Sequence, residues 1–525
     1  MSAARSCPSV AEQILSWCAQ TPDAPAVVQD SHCWTYRELE RVAVSLAARL
    51  EQAGVQPGQV VAVTARRSFS LVAAWMAVLL RRCVLLPLDS SLTPAMRESM
   101  IAQSGAQFDL IIGGVDVAVR SDASVARLSE VLQAPATDLT VPPPPGPDEP
   151  AYVLFTSGSA GTPKAILGRH RSLAALLPWL RSTLKITPAD RIPHLAEVGR
   201  DMALLEVLLP LSSGASLCLP PPGRLAPADA LPWLARAEAT VLHAVPTVAR
   251  AWLRAAPDGI RLPKLRSVQF SGEPLMDTLI SRWRHQIDYR GEVVNHYGPT
   301  ETTLIRCWHP VTSLTPGAQP LGRALPGSEV WVEQSVGVRA PVGTVGEIVI
   351  RTIHGTSGYL GADAETASQF TFEPEGEVTY RTGDLGAVDE NGLIHFHGRL
   401  DDQVTVHGVR FHLHGVKAAL EAQPEVEQAA VTTAPGLNGR PPRLTAHVVL
   451  TPDRSQVPRK LRAALLDHLP SAAVPGRFVV VEALPNSTTN AAGNTDDQGE
   501  AGTLGTSLDP RGTQPAGHRC KDILG

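Results

Sequence analysis

Hydrophobic positions along the chain follow two periods. Val10, Ile14, Leu15 and Cys18 recur at three- and four-residue steps, the spacing of one buried helix face. The stretch "TYRELERVAVSLAARLEQAG" (Thr35 to Gly54) carries the same period. The run "LVAAWMAVLL" (Leu71 to Leu80) is apolar on every side and flanked by Arg66, Arg67, Arg81 and Arg82. It falls far short of the roughly 20 residues that a bilayer needs, so it predicts a helix buried in protein. Short β-branched runs, "VVAVTA" and "CVLLPLD", predict strands between these helices. Such alternation points to an α/β architecture with mostly parallel sheets.

Further along, "TVPPPPGPDEP" (Thr140 to Pro150) reads as a stiff, extended connector between two βα units. It delivers the chain into the strand "AYVLF" and then a glycine-rich loop. From about Leu321 the pattern changes to strands with turn signals, "EVWVEQ", "GEIVIR" and "GLIHFHG", predicting a β-rich unit. A last compact unit runs from about Asp401 to Pro485, with helical stretches near Val416 and Lys460. Beyond Pro485 few apolar residues remain, and the composition is that of a disordered tail. There are no internal repeats.

Composition narrows the class. A chain of 525 residues, 44% hydrophobic and 18% charged, has material for two to four structural units. A formal net charge of -5 gives no case for nucleic acid or an anionic membrane as partner. Seven scattered cysteines without a CxxC pair predict buried thiols in a reducing compartment rather than zinc or disulfides. The N-terminus lacks the long apolar run of a signal peptide, and the expectation is a soluble, cytoplasmic protein.

Candidate chemistry begins at "LFTSGSAGTPKAILG" (Leu154 to Gly168). The loop offers hydroxyls from Thr156, Ser157, Ser159 and Thr162, and an ammonium from Lys164. Gly158 and Gly161 let its backbone approach an anion closely. No Ser or Thr follows the lysine, so this is not the GxxxxGK loop of P-loop proteins. Alone, such a loop is as readily a solvated turn as a phosphate cradle.

Four further stretches follow in order: "SGEPL" (Ser271 to Leu275), "NHYGPTETT" (Asn295 to Thr303), "YRTGDL" (Tyr380 to Leu385) and "GRLDDQVTVHGVRF" (Gly398 to Phe411). With "WTYREL" near the start, the chain from about Val10 to Pro485 resembles the adenylate-forming superfamily. Within it, it is most similar to the amino-acid adenylation domains of nonribosomal peptide synthetases. The resemblance implies a large N-terminal domain of two βα-layered subdomains plus a small β-barrel-like subdomain (residues 1–397). A small α+β C-terminal domain on a hinge (398–487) and a tail (488–525) follow. It implies ATP and Mg²⁺ as cofactors and two half-reactions. A carboxylate first attacks the α-phosphate of ATP; a phosphopantetheine thiol on a carrier protein then takes the acyl group.

The resemblance also implies roles. Thr156 to Lys164 would hold the β- and γ-phosphates, with Lys164 and Thr156 acting in the chemistry. Thr300 would contact the α-phosphate, and Glu301 would bind Mg²⁺. Tyr297 would stack on adenine, with Gly272 and Glu273 also at the nucleotide. Asp384 would bind the ribose, Arg399 would be a second nucleotide contact, and Asp401 would be the hinge. Asp201 falls where amino-acid-activating members hold the substrate ammonium; a lone aspartate is otherwise a helix cap or a surface charge. The side-chain pocket would be lined by Met202, Leu205, His243, Gln269, Ser271, His296, Leu304 and Ile305. These polar groups would go unpaired around an apolar side chain.

The pattern also breaks. Ala160 stands where the family usually has Thr, removing one hydrogen bond, ~1–2 kcal/mol, and Ala165 where it usually has Gly. The family's C-terminal PNGK lysine has no counterpart, because "NSTTNAAGNTDDQ" places Ala492 or Asn494 there. Losing such a cation costs ~2.7–4 kcal/mol of transition-state stabilisation. Thr405, His407, His412, Gly415 and Lys417 replace charged residues of the hinge-proximal motif. The terminal "CKDILG" resembles the start of a carrier domain. Two rival readings stay open: a nucleotide-binding relative or scaffold without catalysis, and a ligase for a non-amino carboxylic acid.

Overall fold

The computed structural model describes residues 8–113, 116–120, 142–157, 163–223, 225–374, 376–400, 403–423, 425–434, 442–450, 458–481 and 484, with residues 113, 116–120, 157, 363, 365, 403, 414, 418, 427, 458 and 459 described by backbone only. The expected helices form. Val10–Gln20 buries Val10, Ile14 and Cys18, and Ser9 with Glu12 closes its N-terminus in a capping box. Tyr36–Gln52 is capped the same way by Thr35 and Glu38. Phe69–Leu80 is buried from Leu71 to Leu80 without a polar face, as its composition requires of a core helix. No helix among the described residues is long and apolar enough to cross a membrane.

Strands Val60–Ala65, Val84–Asp89, Phe108–Gly113 and Pro150–Ser157 pair in parallel within one six-stranded sheet, edged by antiparallel Asp116–Arg120 and Pro163–Arg169. The proline connector therefore does not separate two units. It returns the chain to the sheet it left, because the strand after it pairs with Val84–Asp89. A second sheet sets Val241–Ala244, Ser267–Phe270 and Glu292–Tyr297 in parallel, followed by antiparallel Cys307–Pro310. A four-stranded sheet completes the α/β body, with Pro25–Gln29, Ser216–Leu219 and Arg191–Pro193 in parallel.

The β-rich unit is an antiparallel sheet built on Ser328–Ser335, Gly346–Thr352, Val378–Val388 and Ile394–Arg399. Past it, the hairpin Gln403–Val406 with Val409–His412 leads to the helix Leu413–Glu421 and a sheet of Val426–Ala434, Arg443–Leu450 and Arg477–Val480. Val406, Phe411, Val416, Leu420, Ala446 and Leu465 belong to a core of this segment's own. Of the cysteines, Cys18, Cys83, Cys218 and Cys307 are buried as expected, whereas Cys33 is exposed on a short edge strand.

Candidate active site

Strands Pro150–Ser157 and Pro163–Arg169 form a hairpin with Thr156 opposite Lys164 and Ser157 opposite Pro163. The glycine-rich stretch joins these two strands in sequence. Gly158, Ser159, Gly161 and Thr162 lie outside the described residues, as do Asp401 and the tail with Ala492 and Asn494. Thr156 and Lys164 open on a cleft whose other walls include Glu301, Tyr359, Tyr380 and Arg399. The Lys164 ammonium stands 5.2 Å from the centre of the Tyr359 ring, within cation–π reach.

Glu301 sits in a single 3₁₀ turn, Thr300–Thr302, at the end of the strand Glu292–Tyr297. The turn is held by local compression. Gly298 lies so close to the returning chain that a Cβ there would stand 2.4 Å from the Leu304 carbonyl oxygen. Thr303 and Leu304 follow with φ of 70° and 65°, a left-handed pair that costs a non-glycine residue ~1–3 kcal/mol each. The Thr303 hydroxyl accepts from Tyr152 at 3.1 Å, and Thr356 Oγ1 donates to the Glu301 carbonyl at 2.6 Å. Tyr359 donates its hydroxyl to Glu301 Oε1 at 3.2 Å. Oε2 is buried with no partner. An uncompensated carboxylate oxygen is the donor that a hard cation seeks, so Mg²⁺ fits here. Among the described residues no three His, Cys, Asp or Glu gather as a metal cluster.

A second knot lies beside it. Asp384, on Val378–Val388, is the register partner of Arg399, at the end of Ile394–Arg399. Arg399 donates to Asp384 Oδ1, and Tyr297 donates to Oδ2 at 2.6 Å. Burial and the Asp384 carboxylate push the Tyr297 phenol far above its ordinary range, so it remains a donor. Each carboxylate oxygen keeps a lone pair for a further donor such as a ribose hydroxyl.

Asp201 opens the helix Asp201–Leu211. Its Oδ2 accepts from Thr300 Oγ1 at 2.7 Å, and its Oδ1 from the Met202 amide at 2.7 Å. The substrate candidate and the α-phosphate candidate are thus in direct contact. Behind Asp201, Met202 receives a weak hydrogen bond from Ser271 at 3.5 Å. Leu205, Leu304 and Ile305 join the main core. His243, Gln269 and His296 come from three adjacent strands and are buried.

Sequence reasoning named Gly272 and Glu273 but missed Arg410, Glu347, Tyr359 and Tyr380. Arg410, on the hairpin strand Val409–His412, enters the same cleft. Burial works against its charge, but Asp384 and Glu301 overcome this and hold the guanidinium above its ordinary value. Its signal was present inside "HGVRF", surrounded by the altered positions that drew attention away. Glu273 spans two units: it accepts from Thr247 N at 3.0 Å and Thr247 Oγ1 at 3.0 Å, capping Pro246–Ala255, and from Gly408 N at 3.0 Å. Gly272 adopts φ +83° against Gly408, where a Cβ would meet the Gly408 Cα at 3.8 Å. Glu347 steadies the Asp384 turn by accepting from Gly383 N at 3.0 Å.

Comparison with known proteins agrees with this layout. Residues 14–360 match the AMP-binding enzyme family, and residues 416–491 match the AMP-binding enzyme C-terminal domain. Novobiocin biosynthesis protein H of Streptomyces niveus is 33% identical over 94% of this chain and 82% of its own length. Delta-poly-L-ornithine synthetase of Acinetobacter baumannii is 32% identical over 91% of this chain, which spans 35% of that protein. The chain spans less than half the length of several such curated relatives. Among solved structures, the adenylation domain AlmE of Vibrio cholerae, in complex with glycyl-adenosine-5'-phosphate, has a TM-score of 0.79 at 25% identity, covering 91% of this chain and 96% of that one. The chain belongs to the adenylate-forming, AMP-binding enzyme superfamily and, within it, to the adenylation domains of nonribosomal peptide synthetases.

Proposed function

We propose that this chain uses ATP to adenylate an amino acid and passes the aminoacyl group to the phosphopantetheine thiol of a carrier protein. The observation that carries the reading is the contact between Asp201 and Thr300, with the unpartnered oxygen of Glu301 one residue on. In this reading Asp201 is the anchor for the substrate ammonium, and its neighbours Thr300 and Glu301 are the groups that face the phosphates. The relative solved with glycyl-adenosine-5'-phosphate supports it.

The residues divide the work. Asp201 receives the ammonium and so aims the carboxylate at the α-phosphorus. Tyr297, Asp384 and Arg399 hold the nucleoside end. Thr156 and Lys164 face the departing pyrophosphate at the hairpin mouth. Glu301 would hold Mg²⁺, which supplies charge neutralisation to the phosphate oxygens. The substrate oxygen bonds to the α-phosphorus as its bond to the pyrophosphate oxygen breaks, giving aminoacyl-adenylate. The carrier thiol then loses its proton and attacks the acyl carbon, and AMP leaves.

ATP–pyrophosphate exchange against pools of amino acids and simple acids tests this reading, using the chain as it stands and Asn494→Lys. Exchange that requires an amino acid and falls on Asp201→Ala supports it. Exchange with non-amino acids that survives Asp201→Ala moves the reading to another carboxylic acid. Nucleotide binding with no exchange by either form leaves the scaffold.

A further inference from the structure

The turn that carries Glu301 is held from behind by a buried cation. Arg306 is 1% exposed. Its Nε donates to the Thr302 carbonyl at 2.5 Å, and its Nη2 to the His354 carbonyl at 2.7 Å. Tyr152 and Cys307 are the titratable groups whose fields favour its charge, and among the described residues no carboxylate pairs with it. Burial lowers the guanidinium to about 10, so it remains charged at pH 7. A charge is costly to bury, and an apolar side chain would fill the same space without that cost. What the guanidinium adds is its rigid fork, which reaches two carbonyls at once.

Those two carbonyls belong to the two segments that grip Glu301. Thr302 follows Glu301 in the 3₁₀ turn. His354 lies just past the strand Gly346–Thr352, in a stretch that also supplies Thr356 and Tyr359. The Thr356 hydroxyl meets the Glu301 carbonyl at 2.6 Å, and the Tyr359 hydroxyl reaches Oε1 at 3.2 Å. Arg169 takes the next two carbonyls of that stretch, Gly355 at 2.9 Å and Thr356 at 3.1 Å. Arg306 itself starts from a fixed backbone. Its N–H donates to the Tyr297 carbonyl at 2.7 Å, and its carbonyl accepts from Leu325 N at 2.9 Å. Between Thr302 and Arg306 the chain passes through the left-handed residues Thr303 and Leu304, a strained path that the surrounding contacts must hold.

We propose that Arg306 is a positioning residue for the cleft: it ties the Thr300–Thr302 turn to residues 354–359, so that the open oxygen of Glu301 keeps its aim toward a nucleotide-bound Mg²⁺. This rests on the adenylation reading for what enters the cleft, but not on turnover. Arg306 touches no reactant and acts through the peptide after Glu301. Two substitutions separate its features. Arg306→Lys keeps the charge but offers one nitrogen, which lacks the planar fork that spans both carbonyls. Arg306→Met keeps an unbranched side chain and removes both charge and donors. Thr356→Val leaves Arg306 in place and releases the Glu301 carbonyl from the other side.

The test is calorimetric binding of α,β-methylene-ATP to the full chain and these three variants, once with Mg²⁺ and once with EDTA. Pyrophosphate exchange is measured beside it. Mg²⁺ should tighten binding to the unmodified protein. Both Arg306 variants should lose roughly 10- to 100-fold of affinity in Mg²⁺, the scale on which groups behind a metal ligand act, and keep their affinity in EDTA. Thr356→Val should show the same pattern more weakly, and it decides the question if the Arg306 variants do not fold. In exchange, kcat should fall while the KM for the amino acid holds. Equal losses with and without Mg²⁺ would make Arg306 a structural staple only and overturn the inference. Full retention of Mg²⁺-dependent binding by the variants would overturn it too, as would a nucleotide affinity of the unmodified protein that ignores Mg²⁺. Either result with exchange intact in the unmodified chain leaves adenylation standing. The expected Mg²⁺ pattern without exchange would do the reverse.

Discussion

Two regions of the molecule handle polarity in opposite ways. In the cleft around Asp384, the carboxylate is already met by Tyr297 and Arg399, and Glu347 pins the adjoining turn. On the three parallel strands that carry His243, Gln269 and His296, five buried polar atoms of those side chains have no hydrogen-bond partner. A pre-paired network is rigid and suits a ligand that never changes, such as a nucleotide. Unpaired buried groups make the protein less stable, because the cost of taking each from water is left uncompensated.

The largest test of this contrast is Glu301→Gln, which removes the charge of the one cleft carboxylate whose oxygen is left open. Pyrophosphate exchange should fall roughly 100- to 1,000-fold while the fold persists; unchanged exchange would detach Glu301 from the chemistry. Tyr297→Phe should act on stability instead, costing about 1.5–3 kcal/mol in urea unfolding because a buried carboxylate loses a donor. His296→Phe should do the opposite. It keeps a ring against Trp308, removes two orphaned nitrogens, and should leave the empty protein unchanged or up to about 1 kcal/mol more stable. A loss equal to that of Tyr297→Phe would erase the contrast.

Acid supplies a further probe. His170, His243 and His354 are each held down to about 4 by burial, whereas in the unfolded chain they titrate near ~6.5. Below that value the unfolded state binds protons that the folded state refuses, so stability is complete above about 6.5 and is lost as pH falls toward 4. Urea midpoints at pH 7, 6 and 5 should decline in order, and His243→Leu should flatten the decline. The smallest effect belongs to Arg37→Ala. Its bond to Asp23, 3.1 Å long with both side chains mostly exposed, should contribute no more than about 0.5 kcal/mol to the same midpoint.

Local signals made much of this legible from sequence. Helix Phe69–Leu80, the capped helix Tyr36–Gln52 and the strands of the β-rich unit follow from periodicity and caps within each segment. The motif residues Thr156, Glu301, Asp384 and Arg399 do line one cleft or touch its walls. What escaped depends on tertiary approach. No pattern near Glu206 announces that it will meet His194 and underlie His243, since that follows from a helix crossing a strand edge. Nor does the proline run announce that the chain resumes the same sheet, because pairing with Val84–Asp89 is decided far away in sequence.

Arg410 has one more consequence. The guanidinium that faces Asp384 and Glu301 is carried by the hairpin Gln403–His412, not by the body that carries those carboxylates. One anchor there is a shared carboxylate, Glu273, which grips the hairpin turn at Gly408 and a helix of the body at once. The cleft's charge balance is therefore shared: the body supplies the carboxylates together with Lys164 and Arg399, and the hairpin adds Arg410. Any shift of the hairpin re-zeroes the potential that a nucleotide experiences, without altering a single residue that touches it.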